Sequence, residues 1–147
     1  MKAVWMVTAL VTIATSNAVA VVKSNPCIVP QSSVGISMLN AMDKEMKIDI
    51  STVLRDKTKT ELVMNEPVSH QLVEQFAIID EKQNPNMWLS VKDYINVYSE
   101  SNARNLIVKF TFENTNRQHN VFLASALVND NECSVRFNGY IIVKRDF

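Results

Sequence analysis

Residues 106–128 read LIVKFTFENTNRQHNVFLASALV, with apolar and polar side chains alternating before a polar turn. Apolar side chains occupy every second position of the first part of this segment: Leu106, Val108, Phe110 and Phe112. This period of two is typical of a strand that buries one face. Residues 114–118 form the turn, and residues 119–128 return as a second strand, although Ala124 and Ala126 also suit a helix. We therefore expect an antiparallel pair of strands.

Three further segments carry strand signals. Residues 60–64 form a short strand, and residues 87–98 alternate again, with Met87, Leu89, Val91, Ile95 and Val97 on one face. Asn138-Gly139 lies between two runs of β-forming residues and is the preferred two-residue hairpin turn, because both positions need positive φ. The register of that hairpin places Cys133 on the face that points toward the core.

Residues 34–50 are ambiguous. Seven apolar residues of this segment fall on even positions, which favours a hairpin, or a helical turn followed by a strand: Val34, Ile36, Met38, Met42, Met46, Ile48 and Ile50. Met38, Met42 and Met46 also recur at a spacing of four, which is typical of a helix over residues 34–46. Both interpretations remain open on the sequence.

One helix is indicated near residues 70–82. Ser69 is a suitable N-cap, and the apolar residues that follow form one helical stripe: Leu72, Val73, Phe76, Ala77 and Ile79. The polar residues 80–85 end this helix. The fold class that follows is α+β and mostly β, with one antiparallel sheet (a sandwich or partial barrel) and one helix in a single domain.

The first 20 residues carry the pattern of a secretory signal peptide. Lys2 supplies one positive charge, residues 3–14 are uncharged, and an Ala-Val-Ala sequence at 18–20 resembles a cleavage site. Cleavage after this site leaves residues 21–147, a length typical of one globular domain. The alternative is an uncleaved anchor over residues 4–22, and only then do we expect contact with a membrane.

The two cysteines, Cys27 and Cys133, are expected to form a disulfide, because an even pair in an exported protein is usually oxidised. Two free buried thiols are the alternative. The bond would fasten the N-terminal segment beneath the final strands. No Asn-x-Ser/Thr acceptor for glycosylation occurs, which favours a bacterial periplasm. We expect a periplasmic or secreted protein.

Charge and motif content argue against several classes of function. The chain has 15 basic and 15 acidic residues, so it has no basic excess with which to bind nucleic acid. Its two histidines, His70 and His119, have no catalytic partners nearby in sequence. The acidic pairs at 80–81 and 43–45 have charged neighbours rather than the apolar pocket that raises a carboxyl pKa. We expect no enzyme activity and no cofactor.

A metal site is the least favoured possibility. The thioethers of Met38, Met42 and Met46 are soft ligands that suit Cu(I). Regularly spaced methionine is more often core packing, and neither His nor Cys interrupts this series. We therefore interpret these residues as part of the core, and rank a copper-binding protein and a small hydrolase last.

The candidate binding residues are Trp88, Tyr94 and Tyr98. If residues 87–98 form a strand, these aromatic side chains share one face with polar neighbours, as in many protein interfaces. The alternative is that the helix over residues 70–82 covers this face and the aromatics pack internally.

The expected function is the binding of another protein by a small exported chain, as an inhibitor, an immunity protein or an accessory to assembly. A second possibility is a membrane-anchored periplasmic subunit that assists a membrane sensor. The retained anchor over residues 4–22 separates the second possibility from the first.

Overall fold

The structure, a computed structural model, describes residues 25–147. The signal peptide over residues 1–20 and the alternative anchor over residues 4–22 lie outside the described residues. Within residues 25–147 no helix is both long and apolar enough to cross a membrane. The main elements, in chain order, are α1 (Ser33–Lys44), β1 (Lys59–Pro67), α2 (His70–Gln83), α3 (Val91–Ser99), β2 (Arg104–Glu113), β3 (His119–Val128) and β4 (Arg136–Lys144).

The four strands form one antiparallel sheet in the order β1-β2-β3-β4, so each strand pairs with its neighbour in sequence. The central strands β2 and β3 pair without interruption from Arg104↔Val128 to Glu113↔His119. The expected antiparallel sheet, and the strand pair at its centre, are therefore confirmed. The sheet is open, with β1 and β4 as its edges, and helices cover its two faces.

The first face of the sheet packs on α1 and forms the main core. The alternation in β2 turns Leu106, Val108, Phe110 and Phe112 toward this face, and all four are buried. In α1, Met38 and Met42 are completely buried against the same cluster, which explains their spacing of four. Residues 33–44 are thus a helix rather than part of a hairpin, and these methionines are core residues.

The second face is covered at one end by α2 and α3, which pack against each other and on Leu127. The helix expected near residues 70–82 is confirmed, and the hydroxyl of Ser69 accepts a hydrogen bond from the backbone N–H of Leu72. The prediction of a strand over residues 87–98 is wrong, because residues 91–99 form α3. Helical spacing places Tyr94 and Tyr98 on one side of α3, where they complete a second core.

The prediction of a hairpin turn at Asn138-Gly139 is also wrong, since both residues lie inside β4. Gly139 pairs with Ser125 and Phe137 pairs with Ala126, so Asn138 is an extra residue in a β-bulge. The positive φ of Gly139, 121°, serves this bulge rather than a turn.

The disulfide between Cys27 and Cys133 is confirmed. Cys27 lies in a short 3₁₀ turn, Pro26–Ile28, and its side chain is buried in the main core. Cys133 lies between β3 and β4 instead of within the expected hairpin strand. The bond therefore fastens the segment before α1 to the connection between the last two strands.

Candidate functional site

The three aromatic residues expected to share a binding face are divided by the structure. Tyr94 and Tyr98 are buried, each 6% exposed, between α2, α3 and the sheet. Trp88 lies before α3 and is 101% exposed. The two tyrosines therefore pack internally, which is the alternative given by the sequence. Binding by Trp88 stays a prediction.

Trp88 is the centre of an exposed apolar loop. Its neighbours Met87 and Leu89 are 55% and 37% exposed, so three consecutive apolar side chains meet solvent between α2 and α3. We call these residues, 87–89, the apolar tip. A single exposed apolar residue is ordinary on a protein surface, but a contiguous group centred on tryptophan is typical of an interaction site.

Hydrogen bonds hold both ends of the loop that carries the apolar tip. At the end of α2, the backbone N–H and the side-chain amide of Asn84 donate to the carbonyl of Asp80, at 3.0 and 2.9 Å. The N–H of Met87 then donates to the carbonyl of Asn84. On the other side, Ser90 and Asp93 form a reciprocal capping box that begins α3. The backbone on both sides of Trp88 is therefore held by hydrogen bonds.

A buried ion pair secures α2 to the sheet. The guanidinium of Arg136 on β4 donates from Nε and Nη2 to the two carboxylate oxygens of Asp80, at 2.6 and 2.8 Å. The hydroxyl of Tyr98 donates to the same carboxylate at 2.6 Å. The side chains of Asp80 and Arg136 are only 12% and 14% exposed. A bidentate pair with this geometry is much stronger than a surface ion pair.

Hydrogen bonding and burial within this network shift the pKa values of Asp80 and Tyr98. The hydrogen bonds from Arg136 hold the pKa of the Asp80 carboxyl below its usual value, against the opposing effect of burial. Burial, and then the hydrogen bond to Asp80, raise the pKa of Tyr98 well above the usual range of tyrosine. Asp80 is therefore charged and Tyr98 neutral at neutral pH, which suits a structural connection.

Sequence reasoning missed this network. Asp80 was expected in charged, exposed surroundings at the end of a helix; it instead lies within α2 and is buried. Its partner Arg136 is 56 residues away in sequence, so no local pattern links the two. Two local signals for α3 were present: the Ser-x-x-Asp spacing of the capping box at residues 90–93 and the four-residue spacing of the tyrosines.

A cleft opens on the second face of the sheet, next to α2. We call it the sheet cleft; its volume is about 300 Å³ and its lining is Phe76, Ile107, Leu123, Ser125, Asn138, Gly139, Tyr140 and Ile141. The β-bulge directs Asn138 into this cleft, where its amide nitrogen donates to Ser125 Oγ at 3.0 Å. The oxygen of Asn138 accepts from Arg136 Nη1 at 3.0 Å. The cleft thus has apolar walls and a small polar floor.

The remaining candidates from the sequence occupy structural positions. His70 is the first residue of α2 and is exposed, whereas His119 begins β3 with Nε2 3.4 Å from a carboxylate oxygen of Glu113. Among residues 25–147 there is no group of three or more His, Cys, Asp or Glu side chains placed to hold a metal ion.

No family model, curated protein or solved structure matches this chain. The apolar tip and the sheet cleft are therefore considered on their own geometry: the tip exposes Trp88 completely, and the cleft combines apolar walls with a polar floor.

Proposed function

We propose that this chain is an exported, non-enzymatic protein that binds another protein, and that the apolar tip is its docking surface. The observation that carries the proposal is the complete exposure of Trp88 between two further exposed apolar side chains. Tryptophan is the residue type with the largest contribution to many protein interfaces, because it buries a large apolar area and still offers one hydrogen-bond donor.

The construction of the loop favours binding over accidental exposure. The capping box before α3 and the Asn84 hydrogen bonds at the end of α2 restrict the backbone on both sides of the apolar tip. A loop that is already ordered loses less conformational entropy when it docks, so more of the contact energy remains as affinity. The expected complement on the partner is a concave apolar pocket.

The disulfide supports the exported half of the proposal. A bond between Cys27 and Cys133 persists in an oxidising compartment and is rare in the reducing cytosol. It is compatible with a periplasmic or secreted location.

Size-exclusion chromatography of an extract from the compartment in which the chain accumulates tests the proposal. We expect the wild-type chain to elute in a complex and Trp88→Ala to elute at its own mass of 16.6 kDa or slightly below. Val63→Ala is the matched control, because Val63 is also an exposed apolar residue (51%) but lies on β1. A Trp88→Ala chain that elutes with the wild type, or a wild type that elutes alone, contradicts the proposed docking surface.

A further inference from the structure

We infer that the apolar tip of one copy inserts into the sheet cleft of a second copy, so that two copies form a reciprocal dimer. This inference rests on the proposed function, since it names the partner of the same apolar tip. Trp88 is completely exposed, so the tip does not occupy the cleft of its own chain.

The two surfaces are complementary in shape and polarity. The apolar tip is a loop segment with three neighbouring exposed apolar side chains. The sheet cleft is concave, and Phe76, Ile107 and Leu123 contribute to its apolar walls. Its volume of about 300 Å³ lies at the small end of ligand sites, which suits one indole ring better than an extended ligand.

The floor of the cleft offers the hydrogen-bond acceptor that a buried indole needs. The indole N–H only donates, so it requires an acceptor when it leaves water. Ser125 Oγ accepts from Asn138 and lies 3.3 Å from Asn105 Oδ1, and its second lone pair can accept another bond. Gly139 adds room, because a Cβ built there would meet no atom within 4 Å.

Charge favours an uncharged occupant. Arg136 contacts the polar floor through its hydrogen bond to Asn138, and its charge is balanced by Asp80. An acidic or basic segment would therefore lose hydration without gaining a free counter-charge. The chain has equal numbers of basic and acidic residues, so two copies do not repel each other at long range.

The placement of the two surfaces favours a closed dimer over a chain of copies. Phe76 at the cleft belongs to α2, and the apolar tip follows the end of the same helix in the chain, so one helix connects the two surfaces. A two-fold axis can then exchange both tips at once, whereas one-way insertion would build an open filament. Each tryptophan buries roughly 150–250 Å². Two such contacts with matching walls bury roughly 600–1,000 Å², below the roughly 1,200 Å² of stable complexes, so we expect a weak, transient dimer.

Sedimentation velocity over a wide concentration range tests the dimer with the purified full chain. Trp88→Ala removes the tip, and Ile141→Glu places a charge in the cleft at a residue that is 65% exposed and therefore tolerant of substitution. We expect the wild type to dimerise as concentration rises and each variant alone to remain a monomer. An equimolar mixture of the two variants should regain a dimer weaker than the wild type, because one intact tip can meet one intact cleft. Val63→Glu, on β1, is the control and should dimerise normally.

The fluorescence of Trp88 gives an independent measurement. In a Trp5→Phe background Trp88 is the single tryptophan, and we expect its emission to shift to shorter wavelength as the wild type dimerises but not in Ile141→Glu. A wild type that stays monomeric, or variants that dimerise like the wild type, would overturn the dimer. If the monomeric wild type still forms a Trp88-dependent complex in the extract, the proposed function stands and the partner is a different protein. A mixture of variants that stays monomeric also overturns the reciprocal contact.

Discussion

Asp80 on α2 and Arg136 on β4 form a two-pronged ion pair, Nε to Oδ2 at 2.6 Å and Nη2 to Oδ1 at 2.8 Å. The guanidinium also lies over the ring of Phe76, 4.2 Å from its centroid. This pair joins the helical layer of the second face to an edge strand of the sheet. It therefore helps to set the position of α2, which carries one wall of the sheet cleft and leads into the apolar tip.

Loss of the Asp80 charge should destabilise the fold. Asp80→Asn leaves the buried guanidinium of Arg136 without a counter-charge, and breaking a buried pair of this kind costs about 3 kcal/mol. Urea unfolding followed by circular dichroism measures the free energy of unfolding. Glu81→Gln, at the exposed neighbouring position, should change it by less than about 0.5 kcal/mol. If the two variants had equal free energies of unfolding, the ion pair between Asp80 and Arg136 would not contribute to stability.

The same pair should make stability depend on pH in the acid range. Because the folded pKa of Asp80 is lowered from 3.8 by the hydrogen bonds from Arg136, its contribution is fully present above that value and is lost as pH falls through the folded pKa. The difference in unfolding free energy between wild type and Asp80→Asn should therefore shrink below pH 3.8. Denaturant titrations at several acid pH values measure this difference, and a constant difference would contradict the assignment.

Removal of the disulfide should destabilise the protein strongly. Cys27 and Cys133 are separated by 106 residues, and closing a loop of that size in the unfolded chain contributes about 4–5 kcal/mol in the chain-entropy treatment. Urea unfolding of the double variant Cys27→Ala/Cys133→Ala, beside the oxidised wild type, measures the loss. A double variant as stable as the oxidised protein would show that the bond does not constrain the fold.

Gly139→Ala should weaken the β-bulge that forms the cleft floor. The φ of Gly139 is 121°, a conformation that a residue with a Cβ adopts only at a cost of about 1–3 kcal/mol. Steric collision is not the cause, since nothing lies within 4 Å of the added Cβ. Thermal unfolding of Gly139→Ala beside Ser134→Ala, a change in the exposed part of the preceding loop, measures the effect. Equal melting temperatures would mean that the bulge relaxes without strain.

Local patterns in the sequence were sufficient for the central sheet. The period of two in β2 survives because one face of that strand is buried along its whole length, as the burial of Leu106 and Phe112 shows. The helix at 70–83 could also be predicted from local sequence, since its N-cap Ser69 and its apolar stripe lie within a few residues of each other. The disulfide followed from the number of cysteines and the export signal.

Features that depend on contacts between distant residues could not be predicted from local sequence. Residues 87–98 fit a strand period, but Tyr94 and Tyr98 are held on one helical side by packing against α2. Asn138-Gly139 carries a strong local turn signal, yet the sheet uses the positive φ of Gly139 for a bulge. For the predicted binding face, this meant that only Trp88 is exposed, whereas Tyr94 and Tyr98 are core residues; binding by Trp88 stays a prediction. The cleft could not be found, because four separate elements contribute to its lining.

Site-specific photo-crosslinking measures the role of the apolar tip most directly. A photoreactive phenylalanine analogue replaces Trp88 in one variant and Ile36, another exposed apolar position (48% exposed) on α1, in another. After irradiation in the native compartment, the account predicts a discrete adduct between position 88 and another polypeptide, and none from position 36. An absence of adducts at position 88, or the same adducts from both positions, would contradict docking through the apolar tip.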